Sequence, residues 1–271
     1  MRILAQLLLF VTIITGLTFK VAVFGSDDLQ HLTSSRKCTN CDFSRQSLEK
    51  NNLIGVNLEK SIFDEVELEA VNLQDSNLQL TSFQSARLSG VNCRSCNFKF
   101  ANLNNATLFH FNGEDADFTG VNLTNAKILA ARFRGCNFTN ANFSSTVFVS
   151  ADFRDTNLTG ARFSHTYMGP IVFHGNQISS IHLTGANFTS ANLSGATLTG
   201  LDLRGTNFTN ADLSNADLRG SDLTGVIFEN TNLKGALLSA ATLPHNLRSQ
   251  VIDNGVDTRL TMDEIWRWRR Q

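Results

Sequence analysis

Ala211-Asp212-Leu213-Ser214-Asn215, Ala216-Asp217-Leu218-Arg219-Gly220, Ser221-Asp222-Leu223-Thr224-Gly225: these fifteen residues repeat one five-residue unit three times. The unit runs small residue, Asp or Asn, Leu, a Ser, Thr or Arg, then Gly or Asn. The small residue and the Leu are two apart, so in extended chain both point to one side and the Asp between them points to the other. The last two residues have turn chemistry, because Gly and Asn accept dihedrals that other residues resist. Each unit therefore reads as a very short strand followed by a corner.

The same period runs outward in both directions. Of the 41 central positions 43, 48, 53 to 243, 36 are Leu or Phe, and the exceptions are Cys93, Gly113, Ile128, Met168 and Ile178. A helix needs apolar spacings of three and four, and strict fives would wander around its surface. A helix over 43–243 is excluded. Fifteen centres are Phe, and nine Phe pairs stand 20 apart against six at 15 and four at 25. Four corners per coil place residues 20 apart one above the other, and the stack 133–153–173 is one expectation of that register. Phe111 followed by Gly113 trades volume within one rung, as close packing demands. Forty-one units make about ten coils, a rod of roughly 50 Å at about 4.8 Å per stacked strand.

This periodicity resembles the pentapeptide-repeat family over 43–243. The resemblance implies an all-β, right-handed quadrilateral β-helix solenoid. The opening Cys38-Thr39-Asn40-Cys41-Asp42-Phe43 is also similar to the Cys-x-x-Cys-Asp-Leu start of exported, cyanobacterial-type members.

The flanks differ in kind. Arg2, an apolar run from Ile3 to Phe19, Lys20 and then Val23-x-Gly25 have the layout of a signal peptide, with a membrane anchor as the other reading of 1–25. Either one predicts an exported protein of the periplasm or thylakoid lumen, with membrane contact only if the segment is kept. Residues 26–37 read as a linker, 38–243 as the solenoid and 244–271 as a C-terminal cap. In that cap Thr261-Met-Asp-Glu264 is a capping box, predicting a short helix over about 262–270 whose Trp266 and Trp268 cover the last coil.

Both Cys-x-x-Cys pairs, Cys38 with Cys41 and Cys93 with Cys96, span a centre and the next small position. Turn ends lie within about 7 Å, near disulfide range, and export makes local bridges plausible beside a role as small apolar fillers. The separation of about three coils argues against a zinc site joining the pairs.

No catalytic, cofactor-binding or metal motif stands out, so the expectation is a non-enzymatic scaffold without cofactor. A partner would bind where the outward side is apolar. The residue after the centre is apolar at Ile54, Phe109, Leu129 and Val149, and the last three are spaced by 20. Val147 and Tyr167 share their face. Exposed contiguous apolar surface marks an interaction site for a protein or a second copy. Two alternatives remain. One is a topoisomerase-protecting DNA mimic, although 43–243 carries 17 acidic and 14 basic residues, a net of only −3. The other is a hydrolase in the irregular stretch 165–182, with His165, Tyr167, His174 and His182. There the square register puts His182 between Arg162 and Asp202 on an outward charge ladder.

Overall fold

The computed structural model describes residues 32, 34–164, 166–169, 171–173, 176–179 and 181–242. Every named strand before residue 170 is three residues long and centred on a Leu, Ile or Phe: β1 (Ser47–Glu49), β2 (Glu67–Glu69), β3 (Arg87–Ser89), β4 (Thr107–Phe109), β5 (Lys127–Leu129) and β6 (Val147–Val149). They form one parallel six-stranded sheet whose register steps by 20, as in Leu48↔Leu68 and Leu108↔Ile128. The other three sides carry isolated parallel bridges at the same step, for example Asp42↔Ile62, Asn52↔Asn72 and Asn57↔Asn77. The chain is an all-β solenoid with four-sided coils. Its sides are named here after their first centres, the Phe43, Leu48, Leu53 and Leu58 faces.

The interior follows from the unit. Centres and small residues are buried, and the residue between centres lies outside in column after column. Phe43, Phe63 and Phe83 stack with ring centroids 4.8 Å apart, and Phe98, Phe118 and Phe138 stack at 4.8 and 4.7 Å. Gly113 sits where a Cβ would come within 2.9 Å of the Phe111 ring, so the exchange of volume between those two positions is real. Where the small position holds a hydroxyl, it donates to the carbonyl of a centre, either one coil below, as Thr146 Oγ1 does to Leu123 O at 2.8 Å, or three residues back, as Thr81 Oγ1 does to Leu78 O at 2.6 Å. That partner removes the cost of a buried polar group. The Asn residues before the centres donate down the column, Asn77 Nδ2 to Asn57 Oδ1 at 3.0 Å and Asn97 Nδ2 to Asn77 Oδ1 at 3.1 Å.

At most corners that follow the Phe43, Leu53 and Leu58 faces the carbonyl of the centre accepts from the small residue three positions on, as Leu123 O does from Ala126 N at 2.9 Å. The fifth residue of the unit is left-handed even when it is not Gly: Lys50, Ala70, His110, Ala130 and Ser150 have φ of 56, 51, 50, 52 and 52°.

One expectation of the register fails. The step is 20 up to Asn142↔Arg162, but Asp152 pairs with His182, Asn157 with Asn187 and Tyr167 with Thr197, a step of 30. Ten residues leave the coil as an antiparallel hairpin of β7 (Ile171–Phe173) and β8 (Asn176–Ser179). The register expected for 133–153–173 therefore fails, because residue 173 pairs with Asn176 in the hairpin. The coil above Phe153 is the one at His182, whose carbonyl accepts from Phe153 N at 2.8 Å. His182 accordingly stands between Asp152 and Asp202, not between Arg162 and Asp202. The solenoid has fewer coils than forty-one units would give, because the units in 171–180 are not part of it.

Pro170 supplies the physical reason. It falls in the corner column of Lys50, Ala70, Gly90, His110, Ala130 and Ser150. Five of these, Lys50 through Ala130, donate their N–H to the coil above, and the corner needs φ near +50 to +62°. Proline has no N–H and holds φ near −65°. By the sequence period Pro170 belongs to that column, and proline meets neither of its requirements.

The N-terminal end is plugged locally. Arg36 N donates to Leu32 O at 2.9 Å, closing a helical turn, and Leu32 joins the core at 1% exposure. The expected helix over 262–270 and the segment 1–25 lie outside the described residues.

Candidate partner-binding face

The Leu48 face is the side on which strands are longest and the outward columns change character along the rod. Near the N-terminal end they carry Glu49, Glu67 and Glu69, with Arg87 Nε 3.8 Å from Glu67. One coil further the polarity drops. Phe109, Leu129 and Val149 are direct cross-strand neighbours in one column, and in the parallel column Lys127 pairs with Val147. Tyr167 continues that second column toward Thr197. Phe109, Val147 and Tyr167 are 43, 47 and 48% exposed, whereas Leu129 and Val149 are half-buried. Because parallel neighbours stand about 4.8 Å apart, these side chains form one contiguous patch. Phe109 is braced edge-on by His110, centroids 4.2 Å apart. Just below, Arg87, Leu88, Ser89, Thr107 and Phe109 line an open depression of about 210 Å³.

Of the expected linker 26–37, the described residues do not cover the patch. Lys37 pairs with Asn57 on the opposite Leu58 face, and Leu32 is in the core.

The sequence reading overlooked a second apolar feature. It considered the outward residues on either side of each centre, and the structure exposes Leu80 (44%) and Phe100 (57%) at the fifth position, one coil apart on a single corner. The signal was present: bulky apolar residues stand where the repeat places Gly, Asn, Ser or a charge.

Both cysteine pairs are disulfide-bonded, Cys38–Cys41 with Cα atoms 5.6 Å apart and Cys93–Cys96 at 5.3 Å. Each bridge spans one corner, from a centre to the next small position. Cys136 holds the same small position without a partner cysteine. Burial drives its thiol pKa well up, and Sγ donates to Gly113 O at 2.7 Å. A protonated buried thiol is a filler, not a nucleophile.

The residues named for a hydrolase do not converge. Tyr167 lies on the Leu48 face and His182 on the Leu53 face, while His165 and His174 lie outside the described residues. His182 stands over Asp152, whose carboxyl is held below the usual carboxylate range by the Arg154 side chain (Nη2 to Oδ2 2.6 Å), with His182 adding a smaller pull in the same direction. Asp202 and Asp217 are depressed in the same way by Arg204 and Arg219. These are ion pairs two residues apart within one unit. Among the described residues no group of three or more His, Cys, Asp or Glu is placed to hold a metal ion, and no helix is long and apolar enough to cross a membrane.

The sequence matches the family described as pentapeptide repeats, in eight copies over residues 61–164 and 177–239. No curated protein matches it. Among solved structures it is similar to HetL, a pentapeptide-repeat protein involved in heterocyst differentiation regulation in the cyanobacterium Nostoc sp. strain PCC 7120. Identity is 24%, coverage 78% of this chain and 94% of that one, and the TM-score 0.49. It is also similar to a trypsin-treated form of QnrB1, a plasmid-mediated fluoroquinolone resistance protein (21%, 79% and 95%, TM-score 0.46). A thylakoid-lumen pentapeptide-repeat protein from Arabidopsis thaliana matches over 53% of this chain and 80% of its own (23%, TM-score 0.33). With the repeat matched over more than half of its length and its units wound into four-sided coils, the chain belongs to the pentapeptide-repeat family.

Proposed function

We propose that this chain is a non-catalytic scaffold acting outside the cytoplasm, and that it binds a protein through the apolar patch of the Leu48 face. The observation that carries this reading is the register itself: Phe109, Leu129 and Val149 are consecutive cross-strand neighbours facing away from the core. Nothing in the coil interior asks for apolar side chains there, and the equivalent positions at Glu49, Glu69 and Ser89 are polar. Exposed apolar surface costs solubility unless a partner covers it. Two corner-spanning disulfides support export, since such bridges persist in oxidising compartments. A DNA mimic would need a continuous run of uncompensated carboxylates in place of phosphates. Instead Asp152, Asp202 and Asp217 are each neutralised by an Arg of their own unit.

Leu129→Asp puts a charge at the centre of the patch without touching the core. Crosslinking in the native host compartment, read by mass and with circular dichroism as the folding control, tests the site. Loss of the crosslinked species from a folded L129D protein is the expected result. Retention of every species by that variant rejects the Leu48 face as the binding surface.

A further inference from the structure

Leu80 and Phe100 are the least expected side chains on the surface. Both occupy the corner between the Leu58 and Phe43 faces, with φ of 58 and 57°. A bulky side chain in the left-handed region is strained, which is why Gly and Asn dominate such positions. Neither residue repays that strain inside the core, since they are 44 and 57% exposed. The Phe100 ring leans over Gly120, where a Cβ would lie 2.5 Å from the ring. The ring is thus held against the next corner with its outer surface open to water. Together they make a convex apolar ridge on an edge of the rod.

The matching concavity is on the other side of the same rod. The four faces follow one another as Phe43, Leu48, Leu53 and Leu58, so the ridge corner is diagonally opposite the corner that borders Phe109. The depression of about 210 Å³ lined by Arg87, Leu88, Ser89, Thr107 and Phe109 lies on the Leu48 face and reaches that corner at Ser89 and Phe109. Ridge and depression are also level. Nine residues separate Phe100 from Phe109, less than half a coil, or about 2 Å of rise at 4.8 Å per coil. The flanking charges match in sign, with Lys60, which also pairs with Glu59 of its own rod at 3.3 Å, below the ridge and Glu69 below the depression. Reading up the ridge column gives Lys60, Leu80, Phe100, and reading up the facing column gives Glu69, Ser89, Phe109. With two rods side by side, parallel and level, Lys60 meets Glu69 and Phe100 meets Phe109.

We propose that the occupant of the Phe109 depression is a second copy of this chain, which inserts its Leu80–Phe100 ridge there. This rests on the Leu48 face being the binding surface, and it names the partner. The contact uses different surfaces on the two copies, so each keeps its own ridge and depression available on opposite sides. Such a heterologous contact does not close on a dimer but extends into a ribbon of parallel rods. The lysine and glutamate fix register more than strength, because exposed ion pairs contribute little.

The test is sedimentation equilibrium of the full chain in mild non-ionic detergent, which keeps residues 1–25 from driving association. Phe100→Asn removes the ridge and places at the corner a residue the repeat already uses there, so folding is preserved. Phe109→Ser gives the depression the residue that Ser89 supplies one coil below. Wild type should grow beyond a dimer as concentration rises. Each variant alone should weaken association by about tenfold or more, as expected for an aromatic hot spot. An equimolar mixture of the two should form a one-to-one dimer and stop, because one intact ridge and one intact depression remain. If F100N keeps the wild-type concentration dependence while L129D loses it, the Leu48 face binds by itself and the ridge proposal is overturned. A wild-type chain that stays monomeric to millimolar concentration overturns it as well, and leaves the Leu48 face to a different protein.

Discussion

Residues 43–164 and residues 165–181 obey the same five-residue period, yet only the first stretch is wound into coils throughout. In the first, each fifth residue turns a corner with positive φ. In the second, Pro170 stands at that position, and ten residues depart as an antiparallel hairpin before Ile181 resumes the coil. The lesson is that the period of a solenoid records which residues face inward. It does not record whether a unit is in the coil. That is decided at the corners, by whether the fifth residue accepts a left-handed backbone and donates an N–H to the coil above.

Within the coiled stretch, core truncation should have the largest effect. Phe153 is 1% exposed, and its ring touches those of Phe133, Phe138, Phe143 and Phe148 at centroid distances from 5.0 to 5.8 Å. Phe153→Ala should cost about 3–5 kcal/mol in chemical denaturation, from lost transfer energy plus a cavity. Asn142→Ala, on an outward column, should cost about 1 kcal/mol or less, the worth of an ordinary hydrogen bond. Comparable losses for the two would mean that the assignment of inside and outside is reversed.

Overpacking comes next. At Gly113 a Cβ would approach three rings, Phe111 at 2.9 Å, Phe133 at 3.1 Å and Phe118 at 3.2 Å. Gly113→Ala should destabilise by about 1–3 kcal/mol, the usual cost of forcing a filled core. The double variant Phe111→Leu, Gly113→Ala should recover part of that loss. A stabilised G113A protein in thermal melts would show that the rung has slack.

Acid should act weakly and late. Asp152, Asp202 and Asp217 have carboxyl pKa values depressed mainly by hydrogen bonds from Arg154, Arg204 and Arg219. A depressed folded pKa means that the stability they add is present above the ordinary value of 3.8 and is lost as pH falls through the folded value. Stability should be flat from neutral pH to about 5 and decline below about 4. Asp152→Asn should flatten part of that decline in pH-dependent denaturation. A loss centred well above pH 4 would show that these carboxylates do not govern acid stability.

Much of this was legible in the sequence, for identifiable reasons. Centres such as Leu48 and Phe63 are dictated by burial, which shows directly as period and composition, so the four-sided coil and the inward set could be read from spacing. The patch at Phe109, Leu129 and Val149 could be read because the register converts a spacing of 20 into contact. The hairpin could not be read from period, since Phe173 and Ile178 keep the right spacing. Only the chemistry of Pro170 at a corner betrays it. Leu80 and Phe100 left only a compositional trace, a bulky apolar residue at a corner position; that they are exposed at positive φ is read from the structure.

The smallest effect expected is also the sharpest test of the comparison. If the departure at Pro170 is a local failure to turn one corner, the ten residues 171–180 are dispensable to the solenoid. Removing them and replacing Pro170 by Asn restores a corner residue of the kind seen at Asn140, whose φ is 59°. The spacing then returns to 20, because Ile181 and Leu183 move into the positions that 171 and 173 hold in the sequence. The coil neighbours already observed, Asp152 with His182 and Asn157 with Asn187, are unchanged by the deletion. The restored Asn N–H finds a carbonyl in the coil above, and a shorter loop costs less to close. The combined variant should therefore melt within a few degrees of wild type and keep the same far-ultraviolet β signature. The deletion alone, which leaves Pro170 at the corner, should be the less stable of the two by about 3 kcal/mol, the order of a misplaced proline. If the two deletions are equally stable, the corner chemistry is not what expels the hairpin. If both unfold, the hairpin is part of the fold, and the even period across 165–181 conceals a structural dependence that the pairing of Asp152 with His182 does not reveal.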